Sequence, residues 1–400
     1  MTWRRQPPVL SPVSLRAIFD GVGAVVGFRE SAHQAVSTAL CKRYSCLDAL
    51  LTDSGTSALI LALQKIVRPG GTVAYPAYGC IDLTTAALGA GVRVRFYDVD
   101  PRTLSPDLDS VRSVIGRGVD AIVVAHLFGY PADMIGVAKV AAEEGIPVIE
   151  DAAQGVGGAL CGAPLGGIGD VSILSFGRGK GTTAGAGGAL LVRSPELAAL
   201  ISRERSAIPR GSRGAIEVLM LAAQRVLSHP YLYRLPSSIP ALKLGEMVYR
   251  APRLPHAMSS GASAVLRWTL QDEPLRVSSR RECARKLLAN VRQASHVTPV
   301  CPVTGGESGF LRFALLDTRG DLAPCVEFGC LRGYPMTVAQ HPELAPLIVP
   351  GEIAGKGSVF LRERLFTVPT HKHVRPRDFA GLTEWLARRE SQPGALVAAT

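Results

Sequence analysis

The stretches IPVIEDAAQGVGG (146–158) and VSILSFGRGKGTTAGAGGALLV (171–192) decide how this chain folds. The apolar runs IPVIED (146–151) and VSILSF (171–176) each stop abruptly at small residues, as buried strands do where they give way to a loop. A third run, GGALLV (187–192), follows the glycine-rich segment. In parallel sheets ligands collect beyond the carboxyl ends of the strands, which is where Asp151 and Lys180 fall. An aspartate ending a strand also serves as an ordinary helix cap, and a lysine between glycines also serves as an exposed loop residue. Spacing alone leaves both readings open.

Working outward, the first half alternates strand-like runs with helical periodicity, the pattern of βαβ units around a mainly parallel sheet. Further strands are expected at 49–53, 72–76, 92–100 and 120–129. Helix-like stretches lie at 80–91, 105–116 and 132–145, and Ser54 or Thr56 is placed to cap a helix running through SGTSALILALQKI (54–66). Residues 1–202 therefore read as one large α/β domain with helices on both faces of its sheet. Residues 203–260 differ: they are Arg-rich, interrupted by Pro209, Pro230, Pro236, Pro240, Pro252 and Pro255, and hold one amphipathic helix at 215–227. We read this segment as a connection buried against a partner subunit in preference to a membrane-surface element. Residues 261–400 read as a small C-terminal α+β domain, with a helix near 276–294, strands near 309–316 and 358–368, and a last helix at 376–389.

Composition narrows the function. Of 400 residues 47% are hydrophobic and 19% charged, which describes a globular chain and excludes a disordered one. The net charge of +11 belongs entirely to the second half, since residues 1–200 carry 17 basic and 17 acidic side chains. Such a surface draws anionic ligands. Nucleic acid is not the expected one, because aromatic interleaving and a recognised motif are both missing. No run reaches the length of a membrane-spanning helix and no signal peptide is evident, so the expectation is a cytoplasmic protein without a transmembrane segment. The 8 cysteines show no CxxC spacing, and reduced, mostly buried thiols are expected.

Two glycine motifs are testable by inspection, and both fail. A Walker A loop ending at Lys180 needs glycine at position 174 and Ser or Thr at 181, which are Leu174 and Gly181. The dinucleotide fingerprint fails after Asp151 for want of its third glycine. A lysine amine that forms a Schiff base with an aldehyde, beside an aspartate that keeps a pyridine nitrogen protonated, would instead supply the polar anchors of pyridoxal phosphate.

The strings SGTSAL, YDVDPRT, HLFGYPADM, PVIEDAAQGVGG, GDVSILSF and K-GTTAGAGG, in this order, resemble the DegT/DnrJ/StrS family of sugar aminotransferases, enzymes of the fold-type I pyridoxal-phosphate class. The similarity is dense over 50–192 and traceable to 390. It implies Lys180 as the Schiff-base lysine and proton shuttle, Asp151 as the pyridinium partner and Gln154 against the ring. It further implies Gly55, Thr56 and Ser175 on the cofactor phosphate, at a helix N-terminus that favours an anion. The chain departs from the family at Cys80, where an aromatic residue usually stacks on the ring; Tyr78, two residues earlier, is the expected substitute. GEGG becomes Gly185-Ala186-Gly187-Gly188, with loss of an acid, and the partner-chain loop bearing Asn and Arg has no clear match in 203–214.

The resemblance implies a homodimer that moves an amino group from an amino acid, glutamate first among them, to a keto group of a nucleotide-linked sugar in polysaccharide or related biosynthesis. The alternative is a non-catalytic relative acting through assembly or regulation. A sugar dehydratase of the same family would carry histidine in place of Lys180. His126 ends a strand and is expected to be satisfied by its neighbours. His371 and His373 lack a third ligand, so no metal is expected.

Overall fold

Short β-branched and apolar runs form a seven-stranded sheet. Its strands are β1 (Asp48–Thr52), β2 (Thr72–Pro76), β3 (Arg93–Tyr97), β4 (Ala121–Ala125), β5 (Val148–Asp151), β6 (Val171–Ser175) and β7 (Gly188–Val192). The structure, a computed structural model, describes residues 4–28, 32–242, 244–245, 247–291 and 296–387. The strands lie in the order β1-β7-β6-β5-β4-β2-β3. All run parallel except β7, which is antiparallel to both neighbours. Alternate residues of β4 feed separate cores: Ala121 and Val123 pack with the helices Gly55–Ile66 and Asp82–Ala90, while Ile122 and Val124 pack with Leu108–Gly116 and Met134–Glu143. A strand buried on both faces needs a continuous apolar sequence, which is why AIVVA carries no polar residue.

A second, antiparallel sheet holds β8 (Val297–Pro299), β9 (Arg312–Asp317), β10 (Leu331–Arg332) and β11 (Leu365–Pro369), in the order β8-β9-β11-β10. Phe313, Leu315, Phe366 and Val368 bury its face against Leu287 of the helix Glu273–Val291 and Trp385 of Pro376–Ala387. The strand expected over 358–368 is half helix. Residues Lys356–Arg364 are α-helical and only Leu365–Pro369 extend. The helix starts there because Asp98, far away in sequence, accepts from the Gly357 and Ser358 amides at 2.8 and 2.7 Å and from the Ser358 hydroxyl at 2.6 Å.

The packing does not change at residue 261. In the helix Ser260–Gln271, Ala262, Leu266 and Leu270 lie in one cluster with Leu51, Leu174 and Leu191 of the large sheet; the second core begins at Cys283. The helix Ala215–Leu227 forms where expected, with Val218 and Leu221 packed on Ala17 and Ile18 of the helix Leu15–Val26. All 8 cysteines are free; Cys46, Cys283 and Cys330 are buried, but Cys161 and Cys301 are exposed. No helix among the described residues is long and apolar enough to cross a membrane.

Candidate active site

The carboxyl ends of β4, β5 and β6 and the N-terminus of the helix Gly55–Ile66 surround one cavity. Ser54 caps that helix, its hydroxyl accepting from the Ser57 amide at 3.0 Å, so the first turn opens onto the cavity with the positive end of its dipole. The approach of this turn to the sheet requires glycines. A Cβ on Gly55 would lie 2.7 Å from Ser175 Cβ, and one on Gly188 only 2.4 Å from the Ser54 carbonyl oxygen. The last glycine of the GAGG string thus makes room for the turn's backbone.

Six of the residues expected at the site, Gly55, Thr56, Asp151, Gln154, Ser175 and Lys180, line this cavity. Asp151 ends β5, and its Oδ1 accepts from the Ala153 amide at 3.0 Å, a turn bond over two residues that caps locally. No other hydrogen bond reaches this carboxyl among the described residues. Burial pushes its pKa up, against the opposing pull of the Ala153 amide and the Lys180 charge. Lys180 follows β6 in a bend, its Nζ without a hydrogen bond or ion pair among the described residues. Gln154 Oε1 accepts from the Phe128 amide at 2.8 Å, and its Nε2 donates to the Tyr334 hydroxyl at 2.7 Å, so both ends of this side chain are fixed.

Tyr78 does not line the cavity. Its hydroxyl accepts from the Tyr334 amide at 2.7 Å and its ring, fully buried, packs 5.3 Å from that of Tyr334. The expectation of Tyr78 against a ring assumed extended backbone through 78–80, but the chain bends at 77–78, so residues two apart do not share a side. Cys80 lines the cavity itself. Burial first, then the Asp82 carboxylate, pushes its thiol up to about 12, so it faces the cavity as a neutral group.

His126 is buried and satisfied at both ring nitrogens. Nδ1 accepts from the Ala132 amide at 3.0 Å, which assigns the proton to Nε2, and Nε2 lies 2.9 Å from Glu150 Oε1. Sequence reasoning missed Glu150, although an acid inside an apolar strand was a visible signal. Fully buried, it also accepts from the amides of Gly166, Ile168 and Gly169 and from the Ser172 hydroxyl. Burial alone would raise its pKa; the bond from His126 and those amides outweigh burial and bring it down to about 2. This buried anion fixes the loop 166–169 beneath the site and the ring beside Asp151. His371, expected to lack a metal role, donates from Nε2 to the Pro7 carbonyl at 2.8 Å, and no cluster of three or more His, Cys, Asp or Glu able to hold a metal occurs among the described residues.

The described architecture is that of solved pyridoxal-phosphate enzymes. The chain superposes on an E coli GDP-4-keto-6-deoxy-D-mannose-3-dehydratase with bound hydrated PLP at a TM-score of 0.73 and 15% identity, covering 96% of this chain and 99% of that one. That likeness defines the fold. Residues 31–209 match the model of the DegT/DnrJ/EryC1/StrS aminotransferase family. Over 147 residues, 36% of this chain, it is 36% identical to a dTDP-4-dehydro-2,3,6-trideoxy-D-glucose 4-aminotransferase of Saccharopolyspora spinosa. Over 146 residues it is 37% identical to a UDP-N-acetyl-3-dehydro-alpha-D-glucosamine 3-aminotransferase of Acidithiobacillus ferrooxidans. These matched stretches span 38% and 40% of the two relatives.

Proposed function

We propose that this protein is a pyridoxal-phosphate-dependent aminotransferase that passes an amino group from an amino acid, glutamate in the first instance, to a keto group of a nucleotide-linked sugar. The observation that carries the reading is one cavity holding the Lys180 amine, the half-buried Asp151 carboxyl and a helix N-terminus beside Ser175. These residues fit the cofactor. Asp151 has one oxygen committed to a local amide and its raised pKa eases when a cation sits beside it, as a protonated pyridine nitrogen would. Gly55, Thr56 and Ser175 supply amides, hydroxyls and a dipole for a phosphate. The bound group supplies an aldehyde for the lysine and an electron-withdrawing ring.

The chain's own residues do the rest. Lys180 Nζ is unpaired in the cavity, available first as a nucleophile and then as the base that moves a proton. Gln154, fixed at both ends by Phe128 and Tyr334, walls the cavity without competing for Asp151. Leu59 and Leu127 line it and exclude water. A lysine at position 180 favours amino transfer over dehydration. The excess of basic side chains in residues 201–400 supports an anionic sugar nucleotide as substrate. Such substrates are made in the cytoplasm, the proposed location, for polysaccharide or related assembly.

A homodimer is part of this proposal. Leu15, Phe19, Val22 and Val26 form an outward stripe on the helix Leu15–Val26, and Ile216, Leu219, Met220 and Val226 another on Ala215–Leu227. Two neighbouring helices with both outer faces apolar make a surface suited to a second copy. The test of function is a screen of nucleotide keto sugars with glutamate. Amino sugar formed in step with 2-oxoglutarate supports the reading, and bound cofactor whose absorbance no amino donor alters sinks it.

A further inference from the structure

We infer that Ser11 is a positioning residue for Lys180. The inference rests on the reading of Lys180 as the amine that engages the cofactor. The loop 177–181 is Gly-Arg-Gly-Lys-Gly, and its one side chain besides lysine, Arg178, is exposed, so no packing holds the backbone. Its ends are pinned: Thr183 Oγ1 donates to the Gly177 carbonyl at 3.1 Å and Arg280 Nη1 to the Gly181 carbonyl at 3.2 Å. Between the pins the only bond within the loop is a long one, Lys180 N–H to the Gly177 carbonyl at 3.3 Å. Gly179 adopts the left-handed region, φ +82°, where a glycine backbone has most freedom to lose.

Ser11 supplies the missing hold. Its hydroxyl donates to the Lys180 carbonyl at 2.8 Å and accepts from the Gly179 amide at 3.1 Å, bridging the ends of that dipeptide. The side chain of Lys180 has four rotatable bonds, so the amine is placed only as well as its Cα.

The segment leading to Ser11 is itself held by residues between 312 and 378. Gln6 Nε2 donates to the His373 carbonyl at 2.8 Å and Asp378 Oδ2 at 3.0 Å, His371 donates to the Pro7 carbonyl at 2.8 Å, and Arg312 donates to the Pro8 carbonyl. Pro7, Pro8 and Pro12 restrict φ along the way. The segment is a strap from those residues to the lysine loop.

The test uses the full chain and Ser11→Ala, Ser11→Cys and Ser11→Thr. Two rates are read: hydrogen exchange of the Gly179 amide, and formation of a borohydride-reducible bond to Lys180 when pyridoxal phosphate is added to cofactor-stripped protein. In Ser11→Ala, exchange at Gly179 rises and bond formation falls, each by roughly tenfold, the effect of two lost hydrogen bonds, while amides of β5 and β6 exchange as in the parent. Ser11→Cys, which keeps the volume and weakens both bonds, gives the same pattern if alanine does not fold. Ser11→Thr restores both rates. Parental rates in Ser11→Ala and Ser11→Cys overturn the inference, as does faster exchange spread evenly over the sheet, which is what a merely structural serine gives. If the parent itself forms no bond at Lys180, the functional reading fails, while Gly179 exchange still decides whether Ser11 holds the loop.

Discussion

Asp151 separates a capping role from a chemical one at the scale of a single residue. Asparagine keeps the acceptor that takes the Ala153 amide and caps about as well as aspartate, so Asp151→Asn changes stability by only a few tenths of a kcal/mol. In the proposed role it removes the charge partner of a protonated pyridine nitrogen. The half-reaction with an amino donor therefore slows by roughly a hundredfold, about 3 kcal/mol in barrier height, with cofactor retained. A stopped-flow rate close to the parent's returns Asp151 to a cap. Glu150 gives a pH prediction. Its pKa is depressed, to about 2 from 4.5, so its contribution is fully present above the unfolded value and is lost as pH falls through the folded one. About 3 kcal/mol of stability disappears between pH 4.5 and pH 2. In Glu150→Gln that acid-dependent loss is absent and the protein is less stable at neutral pH, because the amide N–H₂ replaces one carboxylate oxygen and cannot accept there, either from Gly166 at the Oε1 position or from Ile168 and Gly169 at the Oε2 position. Urea titrations at the two pH limits read both effects.

At the scale of elements, the turn before the helix Gly55–Ile66 lies against β6 and β7 with no space for a methyl group at Gly188. Gly188→Ala pushes on the Ser54 carbonyl and Gly55 amide and costs about 1–3 kcal/mol. Because the displaced turn is the proposed phosphate site, affinity for pyridoxal phosphate falls as well; calorimetry showing parental affinity removes that assignment. What sequence alone revealed follows a physical line. The strands that Asp151, Ser175 and Lys180 end or follow, and the capped helix that Gly55 and Thr56 open, leave local apolar and capping traces, whereas the cofactor roles expected of these residues came from the resemblance. Tyr78 was misplaced because a bend breaks the two-residue alternation. The helix Lys356–Arg364 read as strand because its N-terminal partner, Asp98, lies more than 250 residues away. Ser11 was invisible for the same reason: its worth lies in two contacts with Gly179 and Lys180 across 168 and 169 residues. Strand pairing leaves a periodic trace in sequence, while single long-range hydrogen bonds leave none.

At the scale of the whole molecule, the apolar stripes on Leu15–Val26 and Ala215–Leu227 predict a stable dimer. Leu219→Glu, on the outer stripe, gives a folded monomer by light scattering, whereas a parent already monomeric at micromolar concentration removes the dimer. The proposed chemistry depends on one side chain in one cavity. Borohydride reduction of the protein loaded with pyridoxal phosphate, followed by peptide mass mapping, tests it most directly. The pyridoxyl-phosphate mass is expected on the peptide carrying Lys180 and is expected to be lost in Lys180→Ala. A label on any other lysine, or on Lys180→Ala to the same extent, contradicts it.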